Sequence, residues 1–500
     1  MSLWKNARTV LLVVLALVVG FNLLQALNGC SGDNAAVNRV AEAIGMDPYP
    51  LSSGNSQELA RFNAVFNTYA SDTTNTRQLK QFRDAYRRVL SLYVHEVSDA
   101  GLIDAAIDGV EEGKPEPASL PAAELVEKAL DGMTASLDPH TVYLNPEELQ
   151  ETELAASGRF GGLGIQVTQE DGVIKVISPI EDTPADLAGL KTGDLITHVD
   201  GKSVRDMRLM EAVHAMRGEP GTEVRLTLKR AEMPPFDVTM TRAIIVVRPV
   251  RWRAEGDVGY LRIVGFNERV ADAVEAAMES LRDDLGPKAK GIVLDLRDNP
   301  GGLLDQSIAV ADSFLEDGVV VSVRGRDPSD NRAFGASPGD AAEGLPMVVL
   351  INGGSASAAE IVAAALQDHH RATVMGTRSF GKGSVQTVMR LPEEGALKLT
   401  TALYYAPAGE TIQARGIEPD ITLNGKVDDG HELLREADLP GALPEWGEEH
   451  HASRAELDAT ACPAVGEKGK EDRELGCAIA FLEAGSTARF LASLGGRPGI

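Results

Sequence analysis

Ten consecutive apolar residues, Val10–Val19, stand near the start of the chain behind Lys5 and Arg8, with no acid before them. A basic flank followed by an unbroken apolar run is the pattern of an export signal or a membrane anchor. Carried on to Leu27, with Asn22 and Gln25 as interruptions, the run reaches roughly 18 residues, just enough for one span. Residues 1–30 are therefore expected to export the chain as a signal peptide or to tether it at a membrane. Leu27-Asn-Gly-Cys30 resembles a lipoprotein box with an unusual Asn28 in its middle.

The period changes after residue 35. Leu79, Phe82, Tyr86, Val89 and Tyr93 recur at steps of three and four, an amphipathic stripe that predicts a core-packing helix. A second helix is expected around 121–131, followed by a turn-containing linker, Ser136-Leu-Asp-Pro-His-Thr-Val-Tyr-Leu144. Residues 35–157 thus form a helical N-terminal region. From Gly158 short alternating runs punctuated by glycine replace helices. Strands are expected at Ile165-Gln-Val, Val173–Ile177 and Glu223–Leu228, with a helix near 207–217.

Between about 250 and 425 the apolar runs become continuous, at Val258–Ile263, Gly291–Leu296 and Met347–Ile351, and alternate with helical stretches at 269–285, 303–316 and 357–367. Such runs predict strands covered on both faces in a largely parallel α/β sheet. Residues 426–500 read as an acidic C-terminal extension carrying Glu448-Glu-His-His451 and two cysteines. The whole is a multidomain α/β protein.

Charge narrows the function. With 48 Lys and Arg against 74 Asp and Glu the net is −26, which repels phosphate and excludes electrostatic binding of nucleic acid or anionic lipid. Three cysteines, at 30, 462 and 477, are too few for a disulfide framework or a four-ligand zinc site. In an oxidising compartment Cys462 and Cys477 are candidates for one bridge, although two free buried thiols would look the same in sequence.

Two glycine-rich segments follow buried strands: Leu296-Arg-Asp-Asn-Pro-Gly-Gly302 and Asn352-Gly-Gly-Ser-Ala-Ser-Ala-Ala-Glu360. A hydroxyl at a strand-to-helix turn lies beside free N–H groups and the positive helix end, a setting that favours attack and a developing oxyanion. Ser355 and Ser357 both qualify, and either also qualifies as a plain N-cap. For a base there are His369 and His370, more typical of a helix end, and Lys382 in Ser379-Phe-Gly-Lys-Gly-Ser-Val-Gln386. Lysine serves only when burial leaves its amine neutral. Gly376-Thr-Arg-Ser-Phe-Gly-Lys382 imitates a phosphate-binding loop, but Gly383 stands where the Mg²⁺-binding hydroxyl belongs, which removes a nucleotide-binding reading.

The element order of residues 158–245, with Gly161-Gly-Leu-Gly164 before a strand and Ala188-Gly-Leu-Lys-Thr-Gly-Asp194 later, resembles a PDZ domain. The resemblance implies that Gly162, Leu163, Gly164 and Ile165 bind a substrate's terminal carboxylate and first strand. Ser355-Ala-Ser-Ala-Ala-Glu360 with Phe380-Gly-Lys-Gly-Ser-Val-Gln386 resembles the signature of the carboxy-terminal processing peptidases. The likeness spans about residues 80–425 and includes Ser136–Leu144, Leu296–Gly302 and Arg415-Gly-Ile-Glu-Pro-Asp420. Ala359 stands where the family often has another serine.

That likeness implies a ClpP/crotonase-like protease core at 250–425 with the PDZ domain inserted before it. It implies Ser357 as nucleophile, Lys382 as general base, Gln386 orienting Lys382, and backbone N–H groups of Ala358 and Gly302 as the oxyanion hole. Asp368 matches a position sometimes given an accessory role. No cofactor and no metal are expected. The implied partners are proteins or peptides with free, apolar C-termini, cleaved near that end, in the periplasm or on the inner membrane facing it. A homodimer through the helical region is a further expectation, and the rival reading is a non-catalytic PDZ adaptor.

Overall fold

The computed structural model describes residues 53–494 apart from 75, 171, 181, 206, 208, 231–232, 247, 425–433, 446–454 and 467–470. The apolar run at 10–27, Cys30 and Glu448–His451 lie outside the described residues. No described helix is long and apolar enough to cross a membrane.

Among the described residues four helices come first: α1 (Ser53–Tyr69), α2 (Thr76–Leu92), α3 (Asp99–Glu111) and α4 (Ala122–Ala135). Phe82, Tyr86 and Val89 of the predicted stripe lie on the buried face of α2, with Tyr93 buried just beyond it, and Phe82 stacks on Phe62 with ring centroids 3.7 Å apart. Leu79 is only half-buried, whereas Gln81 is buried because its amide donates to the Tyr143 hydroxyl and the Glu394 carbonyl. A polar residue entered the stripe because its partners come from far along the chain. The helix expected at 121–131 runs on to Ala135, and the linker after it ends in a strand, β1 (Val142–Leu144), before α5 (Pro146–Ala156).

The PDZ module is a small antiparallel unit. An antiparallel pair of strands distant in sequence, β2 (Arg159–Gly162) and β9 (Ala243–Val246), closes its neck. Its sheet contains β3 (Ile165–Glu170), β4 (Val173–Pro179), β5 (Leu195–Val199), β6 (Lys202–Ser203), β7 (Glu223–Lys229) and β8 (Phe236–Thr241). The order β3-β4-β5-β7-β8 leaves β3 at an edge. Helices α6 (Pro184–Leu187) and α7 (Leu209–Met216) complete it.

The core sheet has seven strands in the order β10-β11-β12-β15-β16-β19-β20. These are β10 (Val250–Glu255), β11 (Val258–Ile263), β12 (Gly291–Asp295), β15 (Met347–Ile351), β16 (Ala372–Gly376), β19 (Ile421–Asn424) and β20 (Ala455–Asp458). All neighbours are parallel except β10 with β11. A second, antiparallel sheet, not expected from sequence, joins β1 to β13 (Val319–Gly325), β14 (Arg332–Gly335), β17 (Ser384–Arg390) and β18 (Ala396–Tyr405).

The continuous apolar strands are explained by two covered faces. Ile292, Leu294, Val349 and Ile351 point into one core with α8 (Val270–Leu285), α9 (Leu304–Asp312) and α10 (Ala358–Asp368). Val293, Val348, Leu350 and Met375 point into another, made with α11 (Arg473–Ala484) and α12 (Thr487–Ser493). The acidic C-terminal stretch thus contributes the last strand and one whole covering layer to the core sheet. Cys462 and Cys477 are joined, with Cα atoms 5.0 Å apart, and pin α11 to the turn after β20.

Candidate active site

Three loops converge at the C-terminal ends of β12, β15 and β16. After β15, Asn352 turns the chain toward α10, and its side-chain oxygen accepts from the Gly354 N–H at 3.0 Å. Ser355 is fully buried. Its hydroxyl donates to the Leu296 carbonyl at 2.8 Å and accepts from the Asn352 N–H at 3.0 Å, tying the β15 loop to β12. Ser357 sits two residues on, at the N-cap of α10, with φ 54° and ψ −114°. That conformation is strained for an L-residue and is held only because its surroundings fix it. Of the two serines that sequence left open, Ser357 lines the cleft of about 750 Å³ between the core and the PDZ module.

Lys382 lines the same cleft from the loop between β16 and β17. Burial pushes its amine down to about 8; the Lys398 charge adds to that, while Glu436, Asp138 and Glu360 oppose it. Lys398, on β18, also lines the cleft, and burial lowers its amine as well.

Glu360 connects the two loops from beneath. Fully buried, its carboxylate accepts from the N–H groups of Ser357 (2.7 Å), Gly381 (2.7 Å) and Lys382 (2.9 Å) and from the Ser379 hydroxyl (2.5 Å). Burial pushes it up to about 7, with the four donors opposing. One side chain therefore fixes the backbone of Ser357 and of Lys382 together. Its signal was present in sequence as the last residue of Ser355–Glu360, but nothing there told what it would bind.

The third loop is the 297–302 turn. Asp298, at φ 58°, donates its N–H to Asn352 Oδ1 at 2.9 Å and accepts from Asn352 Nδ2 at 2.8 Å. Asn299 donates to the Ile263 carbonyl (2.8 Å) and accepts from the Gly301 N–H (2.9 Å). Gly302 has φ 144°, and a Cβ there would lie 2.1 Å from the Phe266 carbonyl oxygen, so no side chain fits. Gly301 packs so closely on Ser357 that its own Cβ would stand 2.9 Å from the Ala358 nitrogen. The N–H groups of Gly302 and Ala358 donate to no other group among the described residues.

Gln386 lines the cleft, and its amide donates to Ser384 Oγ (3.0 Å) and Thr400 Oγ1 (3.2 Å). Thr400 in turn donates to Asp138, which also accepts from Thr141, so the Ser136–Leu144 motif reaches the cleft wall from beneath. His369 meets the Val319 carbonyl at 2.7 Å, and Asp368 accepts from the Ala408 N–H at 2.9 Å; neither lines the cleft. Among the described residues no group of three or more His, Cys, Asp or Glu could hold a metal.

In the PDZ module Gly162 ends β2 and Leu163 packs into the domain core. Gly164, at φ 75°, abuts Thr183, and Ile165 opens the edge strand β3. The carbonyls of Leu163 and Gly164 accept from Ala185 and Ile180, while their N–H groups donate to no backbone carbonyl among the described residues.

Known proteins carry the same organisation. Residues 257–423 match peptidase family S41 and residues 161–236 match a PDZ domain. The carboxy-terminal-processing protease of Bartonella bacilliformis is 46% identical over 384 residues, covering 75% of this chain and 83% of that protein. The carboxy-terminal processing protease CtpA of Bacillus subtilis is 33% identical over 371 residues, covering 74% and 72%. The chain belongs to the carboxy-terminal processing proteases of peptidase family S41, serine-type peptidases, and carries a PDZ domain.

Proposed function

We propose that this protein acts outside the cytoplasm as an endopeptidase that takes a substrate's free C-terminus on its PDZ module and cleaves near that end with Ser357 and Lys382. The observation that carries the reading is Glu360, which anchors the backbones of both residues at one cleft while the Lys382 amine is held near 8 by burial. Neutral Lys382 takes the Ser357 proton as Oγ attacks the scissile carbonyl. The N–H groups of Gly302 and Ala358 meet the oxyanion that forms. Protonated Lys382 then serves the leaving amine, and water resolves the acyl-enzyme. Gln386, bound to Ser384 and Thr400, keeps the wall beside Lys382 in register.

Substrate class follows from the lining. Leu304, Val385, Val388 and Tyr404 give the cleft apolar walls, which suit apolar residues around the cut. Edge strand β3 offers a line of pairing to an extended tail. The basic residues before Val10–Val19 support export, and the Cys462–Cys477 bridge suits an oxidising compartment.

The test compares wild type with Ser357→Ala on an unstructured polypeptide bearing an apolar tail, with circular dichroism to check folding. Turnover should fall by about 10⁴-fold or more in the variant. Equal cleavage by both would mean that the nucleophile is another residue, and a folded wild type without activity on any tail would favour the adaptor.

A further inference from the structure

The S41 match ends at residue 423, yet the charge that opens the 297–302 turn is held from beyond it. Arg297 is buried, and every nitrogen of its guanidinium is engaged. Nε and Nη2 donate to Asp295 at 3.0 and 2.7 Å. Nη1 and Nη2 donate to Asp472 at 3.1 and 2.7 Å, and Nη1 also donates to Glu474 at 2.7 Å. Asp295 is itself fully buried and accepts from the Tyr260 hydroxyl at 2.8 Å. A buried cation stays in one place only while its partners do, and water or a new rotamer replaces whichever partner is lost.

Asp472 is placed with the same care. It caps α11, accepting from the Leu475 N–H at 2.9 Å, and its own backbone bridges to Val465. The disulfide then ties α11 to the turn after β20. The path onward from Arg297 is short and rigid: Asp298 is locked to Asn352, Asn299 to Ile263, and Gly301 to Asn299. Next comes the Gly302 N–H.

We infer that Asp472 and Glu474 are positioning residues for peptide cleavage: by gripping Arg297 they fix the start of the turn whose Gly302 N–H receives the oxyanion. The C-terminal layer is thus part of the catalytic apparatus as well as a cover for the sheet. The inference rests on the Ser357 chemistry proposed above, because only that chemistry gives the Gly302 N–H an oxyanion to meet.

The experiment uses the full chain as wild type, Asp472→Asn/Glu474→Gln and Leu482→Ala. Asparagine keeps the helix cap while removing the charge. Leu482 packs in the same layer without contributing a carboxylate, so its truncation loosens that layer alone. In the double variant kcat should fall about tenfold with KM within about twofold, since a misplaced donor weakens the transition state selectively. The hydrogen-bonded amides of Asn299 and Gly301 should exchange about tenfold faster while β12 stays protected. Leu482→Ala should keep kcat within about twofold, and Glu474→Gln alone should give a smaller loss that Glu474→Asp partly restores.

Unchanged exchange in a folded double variant would overturn the inference, as would an equal kcat loss in Leu482→Ala. If the double variant does not fold, an unaltered kcat in Glu474→Gln would overturn it. Exchange needs no turnover, so it judges the grip on the turn even if wild type and Ser357→Ala prove equally active and the nucleophile assignment falls.

Discussion

The 297–302 turn and the PDZ loop both present backbone N–H groups from glycine-rich sequence, and they are built in opposite ways. Around 297–302 four of the six residues are tied down: Arg297 to carboxylates, Asp298 to Asn352, Asn299 to Ile263, and Gly301 against Ser357. Among the described residues the backbone of Leu163 and Gly164 in the PDZ loop is hydrogen-bonded through its carbonyls alone, and the loop runs into β3 at the edge of its sheet. A donor that must meet a transient charge cannot move to meet it, so its neighbours fix it in advance. A strand that must accept many different tails instead keeps its hydrogen-bonding edge open.

Breaking the catalytic half should destroy turnover and spare binding. Lys382→Ala should lower kcat by about 10³-fold or more, with the fold intact by circular dichroism and tail-peptide affinity unchanged. In the wild type Lys382 is protonated below about 8 and neutral above it, so kcat/KM should climb with pH through that value and be lost as pH falls. A profile flat across that range would remove lysine as the base. Gly302→Ala should cost about 10²–10³-fold in kcat by pushing the turn off the Phe266 carbonyl, and stopped-flow acylation rates would register it.

Breaking the binding half should do the reverse. Amidating the substrate's C-terminus removes the charge that the PDZ loop would hold, and should raise KM about tenfold at constant kcat. Equal kinetics for acid and amide would mean that the loop does not read the terminus. The mildest change sharpens the catalytic side. Lys398→Met removes a like charge from beside Lys382, so the Lys382 pKa should rise. The alkaline shift of the pH profile would give a loss of a few-fold near neutrality that disappears in alkali, whereas Lys398→Arg should leave the profile in place.

Much of this was legible because the chemistry lies in short contiguous motifs. The strand-to-helix segment Asn352–Glu360 and the Phe380–Gln386 loop are legible as a pair, because together they match a family signature that neither makes alone, and continuous apolar strands announced a sheet covered on both sides. The choice between Ser355 and Ser357 was legible only through the family likeness, since from the residues alone it depends on which hydroxyl meets the Leu296 carbonyl across the sheet. Nor was the role of the last layer. Arg297 and Asp472 are 175 residues apart, and an acidic stretch with two cysteines gives no hint that it closes on a single guanidinium. Gln81 in an apolar stripe was hidden for the same reason: its partners, Tyr143 and Glu394, come from elsewhere in the fold. Local period reveals what an element does alone, and long-range polar partners override it.

The grip on Arg297 also has a temporal side. A chain is made from its N-terminus, so Ser357, Lys382 and the turn at 297–302 all leave the ribosome before Asp472 and Glu474 do. Until those two carboxylates emerge, Arg297 has only Asp295 from this set, and the second face of the sheet has no cover. On the chemistry proposed above, a nascent chain of this design presents Ser357 and Lys382 before the two carboxylates that complete the bracing of the neighbouring turn.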